Sequence, residues 1–261
     1  MRIRGYYFHN FALKMISKNQ IKLITSLHKA KGRKKNGLFI VEGPKAVDEF
    51  LNSDFEIEAV FGTRQWIEFA PQILDSAEMI SEKELQSIST QKHPNQVLAV
   101  VKMHEPTTPP SEITDLCLVL DTIQDPGNMG TIIRIADWFG IKHIVCSKET
   151  ADIYNPKVVQ STMGSISRVQ VSYTNLIEWL GELNGSVPVY GTLLSGENFY
   201  ETKLESKGLI IIGNESKGIS DDVAFFINQG IKIPAYGNSE TESLNAAVAT
   251  GIVVAEFRRR L

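Results

Sequence analysis

Three short stretches of this sequence combine side chains that can do chemistry with glycines that let a backbone approach a ligand. The first is Asp121-Thr-Ile-Gln-Asp125-Pro126-Gly127-Asn128-Met129-Gly130, followed shortly by Arg134. Its proline and two glycines predict a tight loop whose N–H groups can face a ligand. Asn128 is there either as a helix N-cap or as a ligand-facing amide. Arg134 stands among Ile132, Ile133, Ile135 and Ala136, so burying it requires an anion, either a phosphate or an internal carboxylate. The second stretch, Gly213-Asn214-Glu215-Ser216-Lys217-Gly218, follows the apolar run Ile210–Ile212. It is a plain turn or a ligand loop; packing a Glu and a Lys into a turn argues for the ligand loop. It lacks the Gly-Lys-Ser/Thr ending of a phosphate-binding P-loop. The third runs from Ile233-Pro234 to Ser243-Leu244-Asn245, then Ala246-Ala-Val-Ala-Thr-Gly251. Ser243 reads as an N-cap, and the following helix is apolar nearly all round, which predicts burial. Asn245 would then be a buried amide in need of partners.

The elements that must position these stretches alternate. Apolar runs at Leu116–Asp121, His143–Ser147, Val187–Leu194, Leu209–Gly213 and Ile231–Pro234, with a shorter one at Val171, predict strands. Helical spacing covers 131–139, 156–163, 176–183, 221–228 and 243–259. Continuous apolar strands between helices predict a mostly parallel sheet covered on both faces, and such sheets bind ligands beyond the carboxyl ends of their strands. The three stretches lie at such ends. Upstream, Leu38–Val41, Glu58–Phe61 and Gln96–Lys102 read as strands, with helices starting near Ser17, at Ala46 and over 66–74, which makes a smaller α/β domain. The segment Glu105-Pro-Thr-Thr-Pro-Pro-Ser111 cannot pack as a regular element and predicts an extended linker. The expected division is an extension or mis-called start over 1–14, one domain over 15–104, a linker over 105–113 and a second domain over 114–261.

Charge is unevenly spread. The chain carries a formal net charge of −3, but residues 1–45 hold eleven Lys or Arg against Glu42 alone, a net of +10 that leaves −13 on the rest. A basic end on an acidic body points to a polyanion held at one place. Lys29, Lys31, Arg33, Lys34 and Lys35 form the densest patch; with Gly32 and Gly37 between them, they form either a solvated loop or a mobile one that follows a phosphate backbone. No run approaches the roughly 20 apolar residues of a membrane helix. The N-terminus has no signal-peptide pattern, and Cys117 and Cys146 in apolar runs read as buried thiols, so no metal site is expected and the location is cytoplasmic.

Taken in order at these strand ends, the motifs resemble the SpoU/TrmH family of RNA 2′-O-ribose methyltransferases. The matching residues are Asn128-x-Gly130-x-x-x-Arg134, Gly213-Asn214-Glu215-x-x-Gly218 and Ser243-Leu244-Asn245. Asn155-Pro-Lys-Val-Val-Gln-Ser161-Thr-Met-Gly164-Ser165 is similar to the family's segment between the first two motifs. Phe39-Ile-Val-Glu42-Gly43-Pro-Lys45 is similar to its N-terminal, ribosomal-protein-like RNA-binding domain. Ser216 stands where many members have Gly, and Ala247 where some have Ser.

The resemblance implies a SPOUT-type α/β methyltransferase domain with a trefoil knot over roughly residues 187–255. It implies S-adenosylmethionine as cofactor, held by Thr192, Leu193, Gly213, Asn214, Gly218, Ile233, Pro234, Ser243 and Leu244. It implies a homodimer whose RNA site draws on both subunits, with Asn128, Arg134, Glu215 and Asn245 in catalysis. Lys29, Lys31, Arg33, Lys34, Lys35 and Glu42 would bind RNA, with rRNA favoured over tRNA. Two other readings compete. A nucleotide-binding oxidoreductase needs Gly-x-Gly-x-x-Gly after the first strand, which Gly127-Asn-Met-Gly130 does not supply. A non-catalytic RNA-binding protein on a methyltransferase-like fold would keep the basic patch but has no need for Arg134, Glu215 and Asn245 together.

Overall fold

The computed structural model describes residues 15–69, 77–183, 185–237, 241 and 243–260. The expected extension over 1–14 and the end of the helix expected over 66–74 lie outside the described residues. The chain divides into two compact units, Met1–Met103 and His104–Leu261.

The first unit is a four-stranded sheet with helices on it. Its strands are β1 (Leu38–Glu42), β2 (Ile57–Gly62), β3 (Ala77–Met79) and β4 (Val97–Lys102), in the order β1-β4-β2-β3. β4 runs antiparallel to both β1 and β2, and β3 pairs parallel to β2. Helices α1 (Lys18–Leu27) and α5 (Glu82–Ile88) bury Ile24, Leu27, Leu85 and Ile88 with Leu38, Ile40, Phe61 and Val100. Both helices start with a capping box, Ser17 with Gln20 and Ser81 with Glu84. Helix α3 (Pro44–Leu51) brings Phe50 against Phe39 and Phe55, with ring centroids 5.7 and 5.0 Å away in edge-on pairs. The short helix α4 (Arg64–Phe69) follows β2.

The basic patch is a helix, α2 (Ala30–Asn36), not a mobile loop. Gly32 belongs to packing: a Cβ there would lie 1.9 Å from the Ser26 carbonyl oxygen. Gly37, at φ +64°, ends the helix in the left-handed conformation.

The second unit carries a six-stranded parallel sheet in the order β10-β8-β9-β5-β6-β7. Its strands are β5 (Leu116–Asp121), β6 (His143–Ser147), β7 (Gln170–Thr174), β8 (Val189–Asn198), β9 (Gly208–Gly213) and β10 (Gln229–Lys232). Helices α6 (Pro126–Trp138), α7 (Pro156–Thr162) and α10 (Ala246–Arg259) cover one face, over Leu118, Leu120, Ile144, Ile210 and Ile212. Helices α8 (Leu176–Leu183) and α9 (Asp221–Ala224) cover the other, over Cys117, Val119, Val145, Leu209 and Ile211. Alternate residues of one strand thus feed two cores, which is why the strands read as unbroken apolar runs. Cys117 and Cys146 are both buried and unbridged, and burial pushes the Cys117 thiol up to about 12. The proline-rich stretch belongs to this unit, where Trp179 Nε1 donates to the Pro110 carbonyl and Thr107 Oγ1 to that of Val171. Among the described residues no helix is long and apolar enough to cross a membrane.

Candidate active site

β5 and β9 lie side by side, with Asp121 opposite Gly213, so the first two motifs leave the sheet together. The first is helical sooner than its glycines suggest. Asp125 is the N-cap, accepting a 2.8 Å bond from the Asn128 N–H, and Pro126 takes the first helical position. Asn128 therefore sits in the first turn of α6, buried, with its side chain free of capping duty. Gly130 serves contact between helices: a Cβ there would lie 2.5 Å from Ser161 Cβ and 2.7 Å from the Val158 carbonyl oxygen.

The third motif is also capped one step from expectation. Asn245, not Ser243, is the N-cap of α10, its Oδ1 accepting the N–H groups of Ala247 and Val248 at 3.0 and 3.2 Å. Asn245 is exposed, not buried, and so is Val248; α10 buries Ala247, Thr250, Val253, Val254 and Phe257 on one side only.

Three residues predicted from the separate motifs meet. Asn245 Nδ2 donates to Asn128 Oδ1 at 2.8 Å, and Asn128 Nδ2 donates to Glu215 Oε1 at 2.6 Å. The direction is forced. Capping uses the Asn245 oxygen, so only its NH2 can face Asn128; that fixes the Asn128 amide and leaves its NH2 for the carboxylate. The helix cap thereby orients Glu215, which is half-buried and whose Oε2 makes no hydrogen bond among the described residues.

The Glu215 loop is a tight turn. Asn214 and Gly218 exchange two backbone bonds of 2.9 Å, Asn214 Oδ1 accepts from Ser216 N and Lys217 N, and Asn214 Nδ2 donates to the Thr122 carbonyl at 2.8 Å. Gly218 is at φ +72°, and a Cβ on Gly213 would lie 2.3 Å from Gly218 C. Gly213 is thus required by the turn itself. Asp121 and Ser220, to which no motif assigns a role, also join the two loops (Ser220 N to Asp121 Oδ2, 2.7 Å); the carboxylate that opens the first motif is the sequence signal for this contact.

Beside this relay, β8 leaves its ladder. Gly191 pairs with Gly230 and Glu197 with Ile231, so Thr192–Gly196 bulge out of the sheet. Thr192 Oγ1 donates to the Ile211 carbonyl, and Leu193 lies 3.1 Å from where a Gly230 Cβ would be. A cavity of about 420 Å³ adjoins the bulge, lined by Leu193, Ser195, Gly196, Glu197 and Gly230 and, at the amino ends of β8 and β10, by Pro188, Asn228 and Gln229. Ile233 and Pro234 follow the end of β10 half-buried, and Ser243 and Leu244 are exposed before α10.

Arg134 is not brought into the relay. It is exposed and has no hydrogen-bond or ion-pair partner among the described residues, so the expected anion is not supplied from within the described chain. Six positions past Asn128 on a helix of 100° per residue, it points to another face of α6.

In the first unit Lys29, Lys31, Lys34 and Lys35 are exposed. Arg33 and Glu42, expected to bind RNA, are both buried. Arg33 is 2% exposed and donates to the carbonyls of Leu27 and His28 at 3.0 and 3.3 Å, satisfying the end of α1. Glu42 is buried at the other end of β1, accepting from Ser89 Oγ and from Thr90 N and Oγ1. Among the described residues no cluster of His, Cys, Asp or Glu could hold a metal ion.

Residues 115–255 match the SpoU rRNA Methylase family and residues 18–99 an MRM3-like substrate binding domain. The 23S rRNA (guanosine(2553)-2′-O)-methyltransferase RlmP of Bacillus subtilis is 33% identical over 248 residues, covering 93% of this chain and 97% of that one. A structure from Porphyromonas gingivalis, described as an RNA methyltransferase of the TrmH family, superposes with a TM-score of 0.86 at 39% identity, covering 95% of this chain and all of that one. An AdoMet-bound rRNA methyltransferase from Sinorhizobium meliloti superposes at 0.82 with 28% identity, covering 95% and 98% of the two chains. The family match takes in Asn128, Glu215 and Asn245 alike and is joined by a relative aligned almost end to end, so the chain belongs to the SpoU rRNA methylase family.

Proposed function

We propose that this protein transfers a methyl group from S-adenosylmethionine to a ribose 2′-hydroxyl of RNA, with rRNA as the substrate. The observation that carries the reading is the Asn245–Asn128–Glu215 relay, which holds one carboxylate oxygen and leaves the other open at the carboxyl ends of β5 and β9.

The cofactor fits what this end of the sheet offers. Thr192–Gly196 have left the ladder, and the tight Gly213–Gly218 turn lies at the end of neighbouring β9. Leu193, Ile233, Pro234 and Leu244 would add apolar surface to the cofactor site, and Asn214 and Ser243 polar groups. Apolar walls with a few backbone and side-chain polar groups are what an adenosine requires. When bound, the cofactor supplies an electrophilic methyl group on its sulfonium. Glu215 orients the ribose through its open oxygen. Asn128 and Asn245 hold Glu215, and proximity and orientation do the rest. Arg134 holds an RNA phosphate and favours loss of the hydroxyl proton by its charge; a free arginine, with a pKa above about 12, is a poor base. Its exposure, with that of Trp138 and Val248, suits a homodimer whose RNA site draws on α6 and α10 of two copies. The knot over roughly 187–255 belongs to the same proposal. Lys29, Lys31, Lys34 and Lys35 bind the RNA backbone from the substrate-binding unit, and the protein works in the cytoplasm.

Methyl transfer from labelled S-adenosylmethionine to total RNA tests this, followed by mapping of 2′-O-methyl positions. The expected label is on rRNA at a defined nucleotide. Arg134→Ala should lower the single-turnover rate on the order of a hundredfold with RNA saturating, and Arg134→Lys should keep part of it. RNA binding without any transfer would make this a binding protein instead.

A further inference from the structure

One carboxylate at this end of the sheet lies outside the relay. Asp121 is 4% exposed and has no cationic partner among the described residues. Its Oδ2 accepts from Ser220 N and Ser220 Oγ, each at 2.7 Å, and its Oδ1 accepts from Thr122 Oγ1 at 3.0 Å. A carboxylate taken out of water without a cation persists only where donors satisfy it, and here they come from two separate loops. Thr122 is itself unusual, a β-branched residue at φ +60°. That conformation presents its carbonyl to Asn214 Nδ2, and its N–H is held by Ser147 Oγ at 3.0 Å. Two consecutive residues thus fasten both ends of the segment Asn214–Ser220: Thr122 takes the first residue and Asp121 the last. Glu215 sits next to the first fastening.

We propose that Asp121 is a positioning residue that sets the place of the Asn214–Ser220 loop and, through it, of Glu215. The inference rests on the role assigned above to Glu215. Its chemistry is acceptance, not charge: an amide could place its oxygen under both Ser220 donors and turn its NH2 to the Thr122 hydroxyl, which can rotate to accept.

The experiment compares Asp121→Ala, Asp121→Asn, Ser220→Ala and Glu215→Gln, each in the full chain. Two measurements are made: hydrogen exchange at the amides of Ser216, Lys217 and Ser220, and single-turnover methyl transfer with RNA and cofactor saturating. Asp121→Ala should speed exchange at these amides and slow transfer at least tenfold, and Asp121→Asn should recover most of both. Ser220→Ala, a change at an exposed position, should show the same two effects more weakly and keeps the inference testable if Asp121→Ala does not fold. Wild-type exchange and rate in folded Asp121→Ala, or in Ser220→Ala where Asp121→Ala does not fold, would overturn it. So would an Asp121→Asn as impaired as Ala, which would make the charge the operative property. If Glu215→Gln transfers at the wild-type rate, the role of Glu215 fails; the exchange data still decide whether Asp121 holds the loop.

Discussion

Asn245→Asp changes one NH2 into an oxygen and nothing else in size. The capping oxygen is kept, so the bonds from Ala247 and Val248 survive and the start of α10 is preserved. The other oxygen now faces Asn128 Oδ1 across a contact that was a 2.8 Å bond. Asn128 relieves this by turning its amide, which points its own oxygen at Glu215 Oε1 across the former 2.6 Å bond. The carboxylate loses a hydrogen bond to a charged group, about 1.5–3 kcal/mol, and gains a repulsive neighbour. Taking about 2–3 kcal/mol as the cost of holding Glu215 in place, single-turnover transfer should fall roughly 30- to 150-fold, since 1.36 kcal/mol is tenfold in rate. The melting temperature should fall by only a few degrees, because the cap of α10 is kept and the lost bond is a single one. Asn245→Ala should lose activity and also about 1 kcal/mol of stability with the cap. The assay is methyl transfer at saturating RNA beside thermal unfolding of both variants. An Asn245→Asp protein within twofold of the wild-type rate would refute the directed relay.

Three further outcomes follow from geometry. Replacing Lys31, Lys34 and Lys35 with Ala should flatten the salt dependence of RNA binding, each lost phosphate contact lowering the log–log slope by about 0.7 on single-stranded RNA; Arg33→Ala should leave that slope alone and lower the melting temperature, because Arg33 serves the carbonyls of Leu27 and His28. Gly130→Ala should cost about 1–3 kcal/mol in denaturant unfolding, since its Cβ would lie 2.5 Å from Ser161 Cβ and force α6 from α7. Glu256 is held down at about 2, against an ordinary 4.5, by hydrogen bonds first from Arg259 and then from Arg260. A depressed carboxylate stabilises the fold above its unfolded value and loses that stabilisation as pH falls through the folded one. Glu256→Gln should therefore be less stable than wild type at pH 7, with the gap closing from about pH 4.5 down to about 2 in pH-dependent unfolding.

The second unit was legible because its strands are buried on both faces. Leu116–Asp121, His143–Ser147 and the helix Leu176–Leu183 lie where periodicity placed them. Less was visible where an element is short. β3 has three residues and exists by pairing with β2, a contact local sequence does not encode. Helix α5 did carry a signal, the Ser81/Glu84 capping box. In the site, residue types were readable but their offices were exchanged. Asp125 caps α6, which frees Asn128 for the relay, and Asn245 both caps α10 and reaches Asn128. Burial could not be read from neighbours alone: Arg134 among isoleucines is exposed because α6 has a free face, and Arg33 among lysines is buried because α2 packs on α1.

The relay joins positions 87 and 117 residues apart along the chain. No fragment with a sheet half paired, and no local folding unit, contains the three groups in register. Contacts this distant are costly to close and form late. Competence for chemistry thus coincides with completion of the second unit instead of preceding it. The coupling also runs backwards by mass action. A ligand seated at a hundred times its dissociation constant stabilises a folded state by about 2.7 kcal/mol. Because the relay draws its members from the loop after β9, from α6 and from the cap of α10 at once, that stabilisation is shared by the whole unit and raises one unfolding transition, not the order of a single loop.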